Sequence, residues 1–192
     1  MGERSREGPI GPALDRSLID RARSGDLDAF ESIVRARMDA VYRLTAAILG
    51  DEADARDAAQ ETFVAAWREL PKLRDPQRFE AWLQRVAVNA SRMTLRARGR
   101  RRVREIPSSE VVALASHAAA DHGPATDAAR LDLALRRLDV DERAILVLHH
   151  LEGRPLAEIA DVLGIPIGTA KSRLFHARRA LETALRAEDS DR

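Results

Sequence analysis

Apolar residues recur along most of this chain at the spacing of α-helices, and short polar turns cut the pattern into segments. A first short helix is predicted from about Leu14 to Ala22, closed by the Ser24-Gly25-Asp26 break. Phe30, Ile33, Val34, Met38, Val41, Leu44, Thr45 and Ile48 then keep helical register until Gly50 ends the segment. Asp51 is suited to cap the next helix, whose buried face is Ala55, Ala58, Ala59, Thr62, Phe63, Ala66 and Trp67, up to Leu70. Pro71 closes it, and Asp75-Pro76 opens a third, with an acid at the cap and proline at the first helical position. Its buried stripe is predicted to be Phe79, Leu83, Val86, Ala90 and Met93, with Trp82 beside it. From about Glu105 to Asp127 the periodicity gives way to Pro107, paired serines, small residues and Gly123-Pro124, the composition of a linker. It returns with Leu131, Leu135 and Leu138, after which Asp141 is expected to cap a helix that holds Ile145, Leu146, Leu148 and Leu151 and stops at Gly153.

The last periodic stretch has a more specific shape. Leu156, Ile159, Ala160 and Leu163 lay one apolar stripe along a short helix with Pro155 in its first turn, and Gly164 supplies a turn. Ala170, Leu174, Ala177, Leu181 and Leu185 continue at helical spacing, so a second, longer helix is predicted to pack on the first as a helix-turn-helix. Thr169, Ser172, Arg173, His176 and Arg179 fall on the face away from the apolar stripe, with Lys171, Phe175 and Arg178 on its flank. A basic, donor-rich helix face is what entry into a DNA major groove requires. The same spacing also describes an ordinary helical hairpin with a solvated charged face.

Composition fits helix-on-helix packing. The chain has 192 residues, 45% of them hydrophobic and only 4% aromatic, so its cores are filled by Leu, Ile, Val and Ala. The predicted fold class is all-α, with two small helical domains joined by a flexible linker. The expected boundaries are a disordered start over residues 1–13, an N-terminal domain over 14–103, a linker over 104–127, a C-terminal domain over 128–187 and a polar tail over 188–192. There is no cysteine, which excludes disulfides, thiol catalysis and Cys-based zinc sites. No apolar run is long enough to span a bilayer and the start carries no hydrophobic signal core, so a cytoplasmic protein is expected.

The formal net charge of +1 is uninformative, because 32 basic and 31 acidic residues cancel; their placement is not. Between Asp51 and Glu61 stand five carboxylates against the single base Arg56, a patch that repels nucleic acid and suits a basic protein partner. Acids at a helix start also complement the helix dipole, which is the plainer reading of the same residues. On the third helix Arg85, Asn89, Arg92 and Arg96 sit at i, i+4, i+7 and i+11, three cations and an amide along one edge. Beyond them six arginines fall within the nine residues from Arg96 to Arg104, Arg98 among them. Such a block binds phosphates with steep salt dependence, although arginines also favour helix C-termini.

Signs of catalysis are missing. There is no Walker loop, no GxGxxG and no GxSxG nucleophile elbow. His149 and Glu152 share a helix face, but no motif such as HExxH supplies a third metal ligand. The chain therefore reads as a non-enzyme with no cofactor and no metal.

The order of motifs carries a family likeness. Asp57-Ala58-Ala59-Gln60-Glu61-Thr62-Phe63 with Trp67, then Phe79, Trp82-Leu83 and Ala87-Val88-Asn89, then a linker, then Gly168-Thr169-Ala170-Lys171-Ser172-Arg173-Leu174 in a helix-turn-helix, resembles the extracytoplasmic-function (ECF) sigma factors of bacterial RNA polymerase. The resemblance implies a subunit without its own catalysis whose N-terminal domain corresponds to sigma region 2 and whose C-terminal domain corresponds to region 4. It implies binding to the core polymerase through the segment holding Asp54, Asp57, Gln60, Glu61, Phe63 and Trp67, with Phe63 and Trp67 mainly core residues. Arg85, Asn89, Arg92, Arg96 and Arg98 would face the melted minus-10 element, Asn89 reading a base edge. Thr169, Lys171, Ser172, Arg173, Phe175, His176, Arg178 and Arg179 would face the minus-35 duplex, with Arg154 holding phosphate. His176 stands where the family often has a more basic residue. The implied partners are core polymerase, promoter DNA as duplex and as single strand, and an anti-sigma factor; the free chain is expected to be a monomer. Two other readings fit the helices alone: a dimeric helix-turn-helix repressor, and a protein-binding helical adaptor.

Overall fold

A computed structural model describes residues 14–105 and 127–190. Among the described residues eight α-helices run in chain order: α1 (Arg16–Arg23), α2 (Leu27–Leu49), α3 (Glu52–Glu69), α4 (Phe79–Glu105), α5 (Asp127–Arg136), α6 (Val140–Leu146), α7 (Leu156–Leu163) and α8 (Ile167–Ser190). There is no strand among the described residues. Residues 106–126, the core of the expected linker, lie outside them, as do 1–13.

Aspartates start α1, α2, α3 and α6 by accepting otherwise unpaired backbone N–H groups. Asp26 accepts from Ala29 at 3.0 Å and Asp51 from Asp54 at 2.9 Å. These bonds hold both carboxyls below the usual aspartate range, with an added contribution from Arg21 at Asp26 and, at Asp51, from Arg98 and Arg136. Asp75 caps a 3-10 turn over Pro76–Arg78 that leads directly into α4. Gly50 and Gly164 end α2 and α7 in the left-handed conformation, at φ 65° and 68°, where a side chain would be strained.

The cap of α6 is Asp139, not Asp141: Asp139 accepts from the Glu142 backbone at 2.8 Å while the Glu142 side chain accepts from the Asp139 N–H at 3.1 Å. Pro155 is the cap residue of α7 and lies just outside it. Past Leu146 the helix widens into one π turn over Val147–Leu151, which helical periodicity cannot reveal. Met93 and Met38, predicted for buried stripes, are exposed, whereas Ala87 and Val88 are fully buried. Helix α4 runs on to Glu105 and α8 to Ser190, beyond the expected domain ends.

In the N-terminal half α2, α3 and α4 pack on one another, with α1 laid across α2. Arg37, 1% exposed, spans α2 and α4 by donating to the Glu80 carboxylate at 2.6 and 2.9 Å, which satisfies a charge that would otherwise be costly to bury. In the C-terminal half α5, α6 and α7 pack on α8 or its neighbours. The two halves touch: α4 meets α6 and α7, and α2 meets α6. Most buried apolar residues of both halves, from Ile19 to Ala184, form one continuous cluster, and Leu49, Ala58 and Ala90 form a second, smaller one.

Candidate nucleic-acid interfaces

The polar strip on α4 is real as geometry. Arg85, Asn89 and Arg96 are exposed along one edge and Arg92 is half-buried. Arg92 donates to the Asn89 side-chain oxygen at 2.8 Å, which fixes the amide and leaves its NH₂ outward as a donor pair. Arg98 does not continue the edge into solvent; it pairs with Asp54 at 3.0 Å, joining a residue expected on DNA to one expected on polymerase.

Much of this strip faces the C-terminal half. Arg92 Nε lies 2.7 Å from one Asp141 oxygen. Arg85 donates to the backbone carbonyls of Asp161 at 2.5 Å and Val162 at 3.3 Å, the carbonyl end of α7. Gly164 makes room for it, since a Cβ there would come within 3.2 Å of the Arg85 guanidinium. Arg78 pairs with the Asp161 carboxylate at 2.6 Å. A cavity of about 360 Å³ opens beside this contact, lined by Arg74, Arg78, Trp82, Arg85 and Asp161 among others. Trp82 is half-buried against Phe79, with ring centroids 5.7 Å apart.

On α8 the donor face is exposed as spaced: Thr169, Lys171, Ser172, Phe175, His176 and Arg179 all meet solvent. Phe175 packs edge-on to His176, ring centroids 5.5 Å apart, and the Arg179 guanidinium lies 5.9 Å from the Phe175 ring centroid. Arg173 is half-buried and reaches the second Asp141 oxygen at 3.2 Å. Asp139, Asp141 and Glu142 thus form an acidic lip beside Thr169, Ser172, Arg173 and His176, around a recess of about 280 Å³.

Two of the residues expected on DNA meet other side chains of the protein. Arg154 is only 10% exposed, donates to Glu158 at 2.7 Å and leaves its Nε without a partner, so it is not extended to receive phosphate. Arg178 turns to the opposite side of α8, with its Nε 3.3 Å from His150 Nε2. Burial, then His149 and Arg178, push the His150 imidazole below its ordinary value. Both residues rim an apolar groove of about 430 Å³ floored by Leu131, Leu135, Leu146, Val147, Leu181 and Leu185. The sequence reading missed this groove, although exposed Leu131 and Leu151 on helical spacing were its available signal.

The acidic helix α3 divides as its spacing predicts. Asp57, Gln60 and Glu61 are exposed, and Phe63 is buried. Trp67 stacks at a tilt on Phe30, centroids 4.9 Å apart, so it belongs to the core. Asp54 is half-buried in its pair with Arg98.

These positions coincide with two family models. Residues 33–101 match the model for sigma-70 region 2 and residues 128–181 the model for sigma-70, region 4. The chain is 34% identical to the RNA polymerase sigma-H factor of Pseudomonas aeruginosa over 89% of its length and 93% of that protein. It is 31% identical to the ECF RNA polymerase sigma factor SigW of Bacillus subtilis, over 89% and 96%. Among solved structures it is similar to CnrH in complex with the cytosolic domain of CnrY, with TM-score 0.63 and 30% identity over 90% of this chain and 97% of that one. It is also similar to the sigma factor RpoE in complex with the anti-sigma factor NepR from Bartonella quintana, with TM-score 0.63 and 25% identity over 83% and 98%. The chain belongs to the sigma-70 family, as a member of its ECF group of sigma factors, which direct promoter-specific transcription by RNA polymerase.

Proposed function

We propose that the chain works as two DNA-binding domains on one polymerase subunit, with no chemistry of its own. The N-terminal domain, residues 14–103, captures the opened minus-10 strand on α4, and the C-terminal domain, residues 128–187, reads the minus-35 element as duplex with α8. The observation that carries this reading is the pairing of an amide held between arginines on α4 with a solvent-facing donor face on α8, in a chain of this family. An unpaired base is recognised by hydrogen bonds to its edge while cations hold the backbone, and Asn89 flanked by Arg85, Arg92 and Arg96 offers both. On α8 the duplex-facing set is Thr169, Lys171, Ser172, Arg173, Phe175, His176 and Arg179; Arg154, paired with Glu158, and Arg178, beside His150, are left out of this proposal.

Core polymerase docks on the exposed edge of α3 through Asp57, Gln60 and Glu61, whose charge suits a basic partner. Capture of the single strand needs no nucleotide hydrolysis, because whatever binds only the open state shifts the melting equilibrium towards it. The chain acts in the cytoplasm as a monomer until it joins polymerase. An anti-sigma partner is its regulator, as the complex of the sigma factor RpoE with the anti-sigma factor NepR suggests for that protein.

Transcription by purified core polymerase on a promoter library, with and without the chain, tests the reading. Promoter-dependent transcripts that require the chain are expected. Their absence, together with gel shifts of the free protein at palindromic sites, would favour a repressor instead.

A further inference from the structure

We propose that the free protein ties one arginine of each DNA-reading surface, Arg92 and Arg173, to a single carboxylate, Asp141, which acts as an internal stand-in for phosphate. This rests on the DNA-binding roles proposed above. One Asp141 oxygen takes Arg92 from α4 at 2.7 Å and the other takes Arg173 from α8 at 3.2 Å. An arginine proposed for the single strand and one proposed for the duplex are therefore neutralised by the same group. Charge-assisted pairs of guanidinium with carboxylate use the donors that phosphate would use, so the carboxylate and DNA compete for them.

The position of Asp141 gives the pair its strength. Arg92 is 19% exposed, Arg173 28% and Asp141 34%, so solvent and salt screen these charges less than fully exposed ones. The neighbouring pair of Arg78 and Asp161 is 60% exposed on both sides, and pairs of that kind contribute little. Asp141 lies in the first turn of α6 next to its cap and is not the cap itself, so its charge is not required to start the helix. Apolar contact between the halves holds them near each other in either case. What Asp141 sets is how much of the population keeps α4 held against the C-terminal half through Arg92. Loading onto polymerase and promoter must then break these pairs before Arg92 or Arg173 reaches DNA.

The chain has no native cysteine, so Ser32→Cys and Thr183→Cys, both at exposed positions, accept a donor and acceptor dye pair without competition. The full-length labelled protein is measured alone for its interdomain distance distribution and for binding to a short single-stranded oligodeoxynucleotide. Asp141→Asn is expected to move part of the distribution to longer distance and to tighten binding by roughly three- to tenfold, as a rise in the competent fraction requires. Asp161→Asn removes the same charge from the exposed pair and is expected to leave both readouts near wild type. An unchanged distribution for Asp141→Asn overturns the proposal, and so does an equal gain in affinity for the two variants, which would report net charge alone. Circular dichroism that matches wild type guards against misfolding. Transcription programmed by the unlabelled wild-type chain tests the parent reading separately: transcripts with no distance shift defeat the closure alone, whereas a distance shift without transcripts defeats the DNA roles.

Discussion

Arg143 of α6 points its Nη1 at the Leu49 carbonyl, 3.3 Å away, and so caps the last turn of α2 from the other half of the molecule. Arg85 does the reverse, donating from α4 to the carbonyl end of α7. Each half thus lends a cation to the negative end of a helix in the other, where the dipole favours it. Arg143 is nearly buried, and burial lowers its pKa from the usual arginine value, yet it keeps a partner across the contact. Arg143→Ala is expected to cost about 1–3 kcal/mol, because it leaves a buried carbonyl unpaired and a void. Denaturant unfolding followed by helix signal checks this: a shifted and less cooperative transition is expected, and an unchanged midpoint contradicts the capping role.

The reciprocal bonds of Asp139 and Glu142 make a second target. Asp139→Ala removes both the cap and the anchor of the box, and about 1 kcal/mol of stability should go with it. Asp141→Ala, two residues on, should leave the α6 start intact. Hydrogen exchange of the first α6 amides separates them, since only the Asp139 variant is expected to lose protection there.

Glu152 predicts a pH dependence of definite sign. Burial raises its carboxyl above the ordinary value of 4.5, outweighing attraction from Arg154 and Arg43. A raised acid pKa in the folded state means that folding prefers the protonated form. The cost of burying the charge is therefore present in full above the folded pKa and disappears as pH falls below 4.5. Glu152→Gln should stabilise the protein modestly near neutral pH and lose that advantage in acid. Denaturation midpoints of both proteins across this range provide the check, and an advantage that grows in acid contradicts the assignment.

The base-reading role of Arg173 has its own signature. Arg173→Ala should weaken binding at the upstream element by about 1–3 kcal/mol and relax preference at one base pair if the contact is bidentate. A uniform loss across sequences, with a reduced salt slope, would assign the residue to phosphate.

Features set by neighbouring residues were legible in the chain. Asp26, Asp51, Gly50 and Gly164 act within a turn of where they stand, and their types state the role. The misplaced cap of α6 came from two acids in Leu138-Asp139-Val140-Asp141; Glu142 lies three residues after Asp139, so the capping-box spacing already distinguished them. Helical spacing put Arg178 on the flank of the donor face but could not say that His150 and an apolar groove lay across from it. The contacts between halves were beyond reach. Arg92 and Asp141 are 49 residues apart and Arg78 and Asp161 are 83 apart, with no local pattern to mark them as partners. Nearly equal numbers of acids and bases hid the fact that several of each face one another across one contact.

The central claim is that α4 captures a strand that has left its duplex while α8 holds the upstream DNA. Permanganate footprinting of thymines in the minus-10 region, with core polymerase and either the wild-type chain or Asn89→Ala, tests it most directly. Reduced thymine reactivity for the variant, with protection of the upstream duplex retained, is the predicted result. Unchanged reactivity in the variant would contradict the claim.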